Sequence, residues 1–312
     1  MEFIEFTALY LTVARFHVCF TLMSIYTCRR CDHSQDTSWL EECPGCGGIY
    51  APKKTGVDST EQKQRSTFAA AAESKTVYIP TGIEGFDKVI GGGLVAGSPI
   101  LLGGFRGAGK STLLCMVADA VAKVKGRALY ASSEEGVSGV MSIAHRLGLT
   151  NENVEVLGNQ LSVEKVIKHA METKPFLTIF DSLQKFASDI SGGSPGSRPQ
   201  EEAVCSTILA YCRETKRCAI IVSQMSKGGE MKGSTDAAHA VDTVLILAFP
   251  KDDDEDAPDE KDVRVLLVDG KNRNGPESGK SYWLMSDTGM LENIPEKSKL
   301  INLPRGRYSK RT

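Results

Sequence analysis

One glycine-rich segment constrains the fold of this chain more than any other feature. Residues 104–111 read GFRGAGKS, which matches the pattern G-x-x-x-x-G-K-[S/T]. The apolar run Pro99–Gly103 precedes this segment, and Ser111–Lys123, which has helical periodicity, follows it. A strand, a glycine-rich loop and a helix in this order form a phosphate-binding loop, or P-loop, whose backbone N–H groups surround phosphate oxygens. The alternative is an ordinary glycine-rich turn. The pattern and both its flanks predict an α/β protein that binds a nucleoside triphosphate.

The P-loop residues have distinct expected roles. Lys110 would reach the β and γ phosphates, and Ser111 would bind Mg²⁺. The apolar run that begins at Phe176 ends in Asp181, and such a strand-end acid commonly holds the outer shell of the metal ion. We therefore predict Ser111 and Asp181 as the magnesium site. The predicted nucleotide-binding set is Gly104, Phe105, Arg106, Gly107, Ala108, Gly109, Lys110, Ser111 and Thr112.

Two further polar positions follow apolar runs. Arg127–Ser133 ends in Glu134 and Glu135, and a carboxylate at a strand tip beside the γ phosphate can orient and deprotonate the attacking water. The alternative is a surface acid pair. Ala219–Ser223 ends in Gln224, an amide that could sense the γ phosphate and pass its state to the glycine-rich loop that follows.

Apolar runs alternate with segments of helical period from Val77 onward. Strands interleaved with helices predict an α/β fold with a mostly parallel central sheet. The last two apolar runs have no helix between them, so we expect them to form an antiparallel hairpin. The predicted strands are PILLGG, RALYASS, FLTIFDS, CAIIVSQ, DTVLILAF and VRVLLVD, and the predicted helices are Ser111–Lys123, Val140–Leu147, Val163–Glu172 and Glu201–Thr215.

Charge is distributed unevenly along the 312 residues. The formal net charge of −2 excludes a uniformly basic protein of the histone type, but it does not exclude a local basic channel. Lys251–Asp262 carries eight acids and two lysines and is expected to be a solvated hairpin loop. Lys297–Thr312 contains six Lys and Arg and no acid. This basic tail would either contact phosphate or simply be a frayed chain end.

Four of the nine cysteines are grouped by spacing. Cys28-x-x-Cys31 and Cys43-x-x-Cys46 form two tight pairs, typical of a zinc ribbon in which four thiolates surround one structural ion. A redox dithiol is the alternative, but it needs only one pair and usually begins a helix within a βαβ unit. The other cysteines are scattered through apolar patterns and are expected to be buried thiols. Because a disulfide framework is not expected at this length, a cytoplasmic location is predicted.

The predicted domain organisation follows from these shifts in composition. Residues 1–25 are apolar, but four ionisable groups would make a membrane-spanning helix costly, so we expect an amphipathic extension. A start of translation at Met23 is the rival hypothesis. The predicted ranges are 1–25 for this extension, 26–50 for the zinc ribbon, 51–76 for a linker, 77–295 for the ATPase core and 296–312 for the basic tail.

Several segments together resemble one protein family. They are TGIEGFDKVIGGGLVAGSPILLGG before the P-loop, LYASSEE, RLGL, FDSLQ, PGS, VDTVL and KNRNG. With the four-cysteine module, they resemble the RadA (Sms) DNA-repair proteins of the RecA/DnaB group of ATPases, over roughly Tyr26–Glu292. The resemblance implies a RecA-like core in a ring-forming, DNA-stimulated ATPase motor that acts in branch migration and strand processing.

The resemblance also assigns roles to residues. Gly104, Gly109, Lys110 and Ser111 match the Walker A motif, Asp181 matches Walker B, and Glu134 aligns with the catalytic glutamate better than Glu135 does. Lys271 and Arg273 match the K-N-R-x-G motif, which implies that they act on a neighbour's nucleotide. A basic hairpin turn is the alternative for this motif. Asn274 stands where RadA proteins usually have an aromatic residue, and Gln224 stands where they commonly have histidine. The predicted catalytic set is Glu134, Lys110, Gln224, Lys271 and Arg273.

Partners follow from the same resemblance. Two loops, 187–200 and 226–238, are expected to contact single-stranded or branched DNA, and Arg198, Lys227 and Lys232 would bind its phosphates. Plain surface loops are the alternative. A homo-oligomer in the form of a hexameric ring and a recombinase or replication partner are implied, with no membrane partner. RadA proteins continue into a Lon-protease-like domain, which the 312 residues do not reach, so no protease activity is expected.

Two other functions remain open at this point. TGIEGFDKVIGGGL also resembles KaiC-like signalling ATPases, for which DNA should not stimulate ATP turnover. A zinc-ribbon adaptor, whose nucleotide site only controls assembly, would bind ATP without turnover.

Overall fold

The computed structural model describes residues 24–27, 33–35, 44–45, 53–57, 76–225, 235–286, 289 and 291–296. These residues belong to two compact units, 1–74 and 75–312.

The smaller unit contains a three-stranded antiparallel sheet. Strand β1 (Ser24–Thr27) pairs with β2 (Ser34–Gln35) on one side and with β3 (Lys53–Val57) on the other. The sequence KKTGV lacks an apolar period and falls in the predicted linker, yet it forms β3. Backbone hydrogen bonds to β1 make this strand, and such bonds do not require an apolar pattern.

The larger unit is built on one nine-stranded sheet with the order β14-β13-β12-β11-β6-β10-β9-β7-β8. Strands β6 to β11 are parallel, whereas β11 to β14 run antiparallel to one another. A separate antiparallel pair, β4 and β5, precedes this sheet in the chain. The strands of the unit are β4 (Tyr78–Ile79), β5 (Leu94–Val95), β6 (Pro99–Gly104), β7 (Ala128–Ser132), β8 (Val154–Leu157), β9 (Leu177–Asp181), β10 (Cys218–Gln224), β11 (Thr243–Ala248), β12 (Val263–Asn272), β13 (Lys280–Met285) and β14 (Leu291–Ile294).

Helices cover both faces of this sheet because the strands are apolar on both sides. In β6, Leu102 packs into one core with helices α1 to α3, and Leu101 packs into a second core with α4 to α6. The helices are α1 (Glu84–Ile90), α2 (Lys110–Lys125), α3 (Val137–Arg146), α4 (Val163–Thr173), α5 (Arg198–Thr215) and α6 (Thr235–Ala240). None of the helices in the described part of the chain is long and apolar enough to cross a membrane.

The predicted α/β class and mostly parallel sheet are confirmed, and so is the antiparallel pairing of β11 with β12 across the acidic segment. In that segment Asp254 accepts hydrogen bonds from Lys280 Nζ at 2.9 Å and Tyr282 Oη at 2.7 Å. Strands β8, β13 and β14 are absent from the sequence prediction. Strands β8 and β14 have only four residues each, and β14 (LENI) carries an acid in place of a clear apolar run.

The segment Thr81–Asp87 has a local structural role. One carboxylate oxygen of Asp87 accepts hydrogen bonds from the Thr81 backbone N–H at 2.9 Å and from its hydroxyl at 2.8 Å, and the other accepts from Gly82 N–H at 3.0 Å. These bonds fix the chain that enters α1. Helix α1 then packs its buried face, including Phe86 and Val89, into the core.

Helix α5 contains a buried acid without a hydrogen-bond partner. Glu201 is 1% exposed, and neither of its carboxylate oxygens has a partner among the described residues. Burial raises its pKa from 4.5 to about 7.

This burial predicts a pH-dependent stability. Below about pH 4.5 Glu201 is protonated in both the folded and the unfolded chain, so it imposes no ionisation cost. As pH rises towards 7 the unfolded chain ionises first, and the folded chain loses stability. We expect Glu201→Gln to be more stable than wild type at pH 8, by about 1 kcal/mol or more, with the difference shrinking towards pH 5. Urea midpoints across this range measure the effect, whereas parallel pH curves would contradict it.

Candidate nucleotide site

The candidate site lies where the parallel strands end. In the sheet, Gln224 at the end of β10 pairs with Gly104 at the end of β6, and Ser132 at the end of β7 pairs with Asp181 at the end of β9. The P-loop, Glu134, Asp181 and Gln224 therefore share one edge of the sheet. The sequence predicted these groups separately, and the parallel topology brings them together.

The P-loop joins β6 to the first turn of α2. Gly109 has φ 98°, and the space beside it is filled by Met285 and Leu291, so a side chain there would meet both a disfavoured backbone conformation and a steric clash. Lys110 Nζ donates to the carbonyl oxygens of Gly104 and Phe105, both at 2.9 Å. Burial lowers the pKa of Lys110, while the nearby Asp181 and Glu134 carboxylates act in the opposite direction. The Lys110 side chain thus lies along the P-loop, and it is expected to contact the phosphates bound there.

Asp181 is held by a tyrosine. Tyr130 Oη donates a hydrogen bond to Asp181 Oδ2 at 2.6 Å, and Ser111 Oγ lies 3.4 Å from the same oxygen. Burial raises the pKa of Asp181, and the hydrogen bond from Tyr130 partly offsets this effect. The predicted magnesium pair is therefore brought together. Tyr130 was missed at the sequence level, because every residue of β7 is buried and nothing in its pattern distinguishes this tyrosine from the rest of the core.

Glu134 follows strand β7 and accepts hydrogen bonds from two polar side chains. Its Oε1 accepts hydrogen bonds from Ser182 Oγ and from Gln224 Nε2, both at 2.6 Å. Glu135 instead lies against the start of α3, where a side chain at Gly139 would contact its Oε2. Of the two acids, Glu134 is therefore the one that accepts the hydrogen bond from Gln224.

A cavity of about 340 Å³ connects these groups. Its lining includes Lys110, Ser111, Glu134, Asp181 and Gln224, as well as Thr112, Arg146, Met285 and Gly289. Arg146 Nη2 donates to Thr112 Oγ1 at 3.4 Å. In the sequence, Arg146 was noted only as part of the segment RLGL, and Met285 and Gly289 were not predicted. A cavity wall formed by segments that are distant in the chain leaves no local sequence pattern.

Lys271 and Arg273 lie at the opposite end of the strands from the P-loop. Asn272 pairs with Thr243, which pairs with Ile100 near the start of β6. Since the P-loop begins four residues later, at Gly104, about 13 Å separates the two ends along the strand. Lys271 and Arg273 are therefore not among the residues that line this chain's own nucleotide cavity.

Both cations have partners within the chain. Lys271 Nζ donates to the carbonyl oxygens of Ala238 at 3.1 Å and His239 at 2.5 Å, at the C-terminal end of α6. Arg273 Nη1 lies 3.1 Å from Asp242 Oδ1, and its side chain is 57% exposed. Burial lowers the pKa of Lys271.

The turn that carries them is fixed by close packing. Gly275 lies against Gly91 and the carbonyl oxygen of Ile90, so a β-carbon there would clash with backbone. Asn274 Nδ2 donates to Ser98 Oγ at 2.7 Å, and the Asn274 carbonyl accepts from Tyr78 Oη at 2.5 Å.

The predicted DNA and zinc ligands are only partly covered by the structure. Arg198 begins helix α5 and is not part of a loop, and it forms ion pairs with Glu202 and Asp236. Its charge is therefore balanced by two acids. The other predicted ligands lie outside the described part of the chain; they are Lys227, Lys232, Cys28, Cys31, Cys43 and Cys46. Among the described residues, no group of three or more His, Cys, Asp or Glu side chains is arranged to hold a metal ion.

Comparisons with known proteins show what this chain is similar to. Residues 79–191 match the family model described as "ATPase: KaiC". The chain is 34% identical over 286 residues to the DNA repair protein RadA of Aquifex aeolicus, covering 88% of this chain and 60% of that protein. It is 31% identical over 290 residues to RadA of Mycobacterium tuberculosis, covering 89% and 58%. The chain is a relative of the RadA proteins. It spans about 60% of the length of these curated relatives.

Solved structures show the fold of this RadA relative. A KaiC-like protein from Pyrococcus horikoshii aligns with a TM-score of 0.57 at 16% identity, covering 71% of this chain and 100% of that one. A second solved structure, an isolated ATPase domain, aligns with a TM-score of 0.58 at 16% identity, covering 73% and 95%. The larger unit therefore has the RecA-like P-loop fold, as the resemblance to RadA implied.

Proposed function

We propose that the chain is an ATP hydrolase whose turnover is stimulated by single-stranded DNA, and that it acts as a RadA-like motor in recombinational DNA repair. The observation that carries the proposal is the grouping of Lys110, Ser111, Asp181, Glu134 and Gln224 around one cavity. The name of the relatives, DNA repair protein, supports the cellular role.

The residues fit a magnesium-bound nucleotide. Ser111 Oγ and Asp181 offer oxygen ligands, which Mg²⁺ prefers, and the P-loop glycines leave backbone N–H groups accessible to phosphate. When bound, the metal would neutralise charge that develops on the β and γ phosphates. Ser111 would bind it directly, and Asp181, held by Tyr130, would orient its water shell.

The chain's own residues would then have separate roles in hydrolysis. Lys110 would leave the carbonyl oxygens of Gly104 and Phe105 and bind the terminal phosphates. Glu134 would accept a proton from the attacking water, because its carboxylate is at the strand tip beside Lys110. Gln224 Nε2 now holds Glu134, and it would exchange this contact for the γ phosphate. Nucleotide binding would thereby release the base.

The decisive experiment is the ATPase rate of the full chain with and without single-stranded DNA. We expect DNA to raise turnover, and we expect Lys110→Ala to abolish hydrolysis in both conditions. The molecular mass of the assembly, measured in the same buffers, tests the proposed ring. Equal turnover with and without DNA would overturn the DNA-dependent part of the proposal.

One observation favours a second function. The KaiC-type family model covers the P-loop and Asp181, so a signalling ATPase without a DNA substrate is the competing proposal. ATP turnover that DNA leaves unchanged would favour it. ATP binding without turnover, and without effect of Glu134→Gln, would favour a zinc-ribbon adaptor.

We also propose that Cys28, Cys31, Cys43 and Cys46 bind one structural zinc ion. Their spacing is the main support. In addition, β1 and β2 form an antiparallel pair, with Cys28 and Cys31 between them in the sequence.

This zinc site predicts a specific loss. Cys43→Ser should lower the zinc content from one ion per chain towards zero, since a ribbon of this size folds by binding its metal. DNA-stimulated turnover should fall more than nucleotide affinity, because the P-loop lies in the other unit. Metal analysis and nucleotide titration measure the two effects. Cys115→Ser, at a buried thiol of α2, is the control for zinc content, and equal zinc in Cys43→Ser would contradict the assignment.

A further inference from the structure

A second cavity lies beside the helix that follows the P-loop. It has a volume of about 250 Å³ and is bounded by α2, α3, β7 and β8. Its wall is mainly apolar and includes Ala118, Val140, Met141 and Val156. Burial raises the pKa of Cys115, another wall residue, to about 12, so its thiol is uncharged. An apolar cavity with a few polar groups is typical of a ligand site.

Three walls of this cavity also carry groups of the nucleotide site. Tyr130 lines the cavity and donates the hydrogen bond that holds Asp181. Cys115 lies on α2, one helical turn after Ser111. Helix α3 contributes Val140 to the cavity and Arg146 to the nucleotide site. An occupant would therefore touch three elements on which the nucleotide site depends.

One wall residue has an unused acceptor. Asp119 is 5% exposed, and its Oδ1 is buried without a hydrogen-bond partner among the described residues. Its Oδ2 lies 2.6 Å from Lys123 Nζ, which balances the carboxylate charge. A cationic ligand is thus not required. A neutral N–H donor would satisfy the remaining oxygen, and buried acceptors are rarely left unpaired.

We propose that this cavity binds a small, uncharged, largely apolar molecule with one N–H donor, and that the ligand acts on the nucleotide site through Tyr130. The apolar walls recognise the apolar body of the ligand, and Asp119 recognises its donor. Pressure on the Tyr130 ring moves the hydroxyl that holds Asp181.

Indole is a suitable probe, since it is largely apolar and uncharged and has one N–H. Calorimetric titration of the full chain without nucleotide should show saturable binding. Benzofuran, which has the same shape but no N–H, should bind about fivefold more weakly or worse. Absence of saturable indole binding would overturn the proposal, and equal affinity for the two probes would overturn the role of Asp119.

Variants that fill the cavity test whether indole binds there. Ala144→Leu adds a side chain at the wall on α3 and should weaken indole binding by about tenfold or more. Ser142→Leu, at an exposed position on the same helix, is the matched control and should bind indole as wild type does. Met141→Trp, at a position 49% exposed, is a second filling variant should Ala144→Leu not fold. Unchanged affinity in a folded filling variant would place the probe elsewhere.

The link to the nucleotide site is tested separately. Saturating indole should weaken the binding of a fluorescent ATP analogue with Mg²⁺ by about fivefold in wild type, and it should have no effect in Tyr130→Phe, where the bond to Asp181 is already lost. An effect that persists in Tyr130→Phe would overturn the route through this tyrosine. Because the indole titration needs no nucleotide, failure of nucleotide binding would count against the proposed function and not against this site.

Discussion

Glu134→Gln should lower ATP turnover by about 10²–10⁴-fold while leaving nucleotide affinity near that of wild type. The carboxylate is expected to take a proton from the attacking water, and an amide of the same size cannot do so. The P-loop contacts that bind the phosphates remain in this variant. Single-turnover hydrolysis and binding of a fluorescent ATP analogue, measured on the same preparation, separate the two effects.

Glu135→Gln is the matched control. Glu135 is the adjacent acid and also lines the cavity, but its side chain lies beside Gly139 and makes no hydrogen bond with Gln224 among those described. We expect its turnover to remain within about threefold of wild type. A larger loss in Glu135→Gln than in Glu134→Gln would reverse the assignment of the base.

Arg273→Ala should lower DNA-stimulated turnover by about 10³-fold or more while each P-loop still binds nucleotide. The physical reason is position. Arg273 lies at the edge of the sheet opposite its own P-loop, so its guanidinium can stabilise transition-state charge only at a neighbour's nucleotide. Arg127→Ala removes an exposed arginine that precedes β7 at that same edge, and it should retain activity.

Mixing two inactive variants tests the role in trans. Lys110→Ala lacks a working P-loop but keeps Arg273, and Arg273→Ala keeps the P-loop. Assemblies that contain both should form some sites with an intact P-loop facing an intact Arg273, and turnover should reappear in the mixture. A mixture as inactive as its components would refute the trans role, provided that its mass shows mixed assembly.

Much of the candidate nucleotide site could be predicted because its residues lie at or just after the ends of strands. The pattern around Lys110 is local, and Asp181 and Gln224 each close a buried apolar run. Parallel strands bring such ends to a single edge, so sequence order and the P-loop together indicated the site. The preference for Glu134 over Glu135 came from the family resemblance and stays a prediction, and the hydrogen bond from Gln224 to Glu134 was not predicted.

Other features could not be predicted because they depend on contacts between distant segments. Lys53–Val57 forms a strand through backbone pairing that leaves no trace in side-chain pattern. Arg198 was expected in a DNA-facing loop, but it begins a helix and meets Asp236 from α6. Tyr130 looked like an ordinary core residue until the register of β7 against β9 placed its hydroxyl beside Asp181.

The P-loop and Arg273 lie at opposite ends of the strands of the sheet, and this separation affects any activity assay of this chain. If Arg273 acts in trans, each copy holds complementary halves of two different active sites, and a solitary copy holds no complete one. Turnover per chain should then fall on dilution, with a concentration dependence that follows association between copies. Specific activity would in that case report how many neighbours a molecule has.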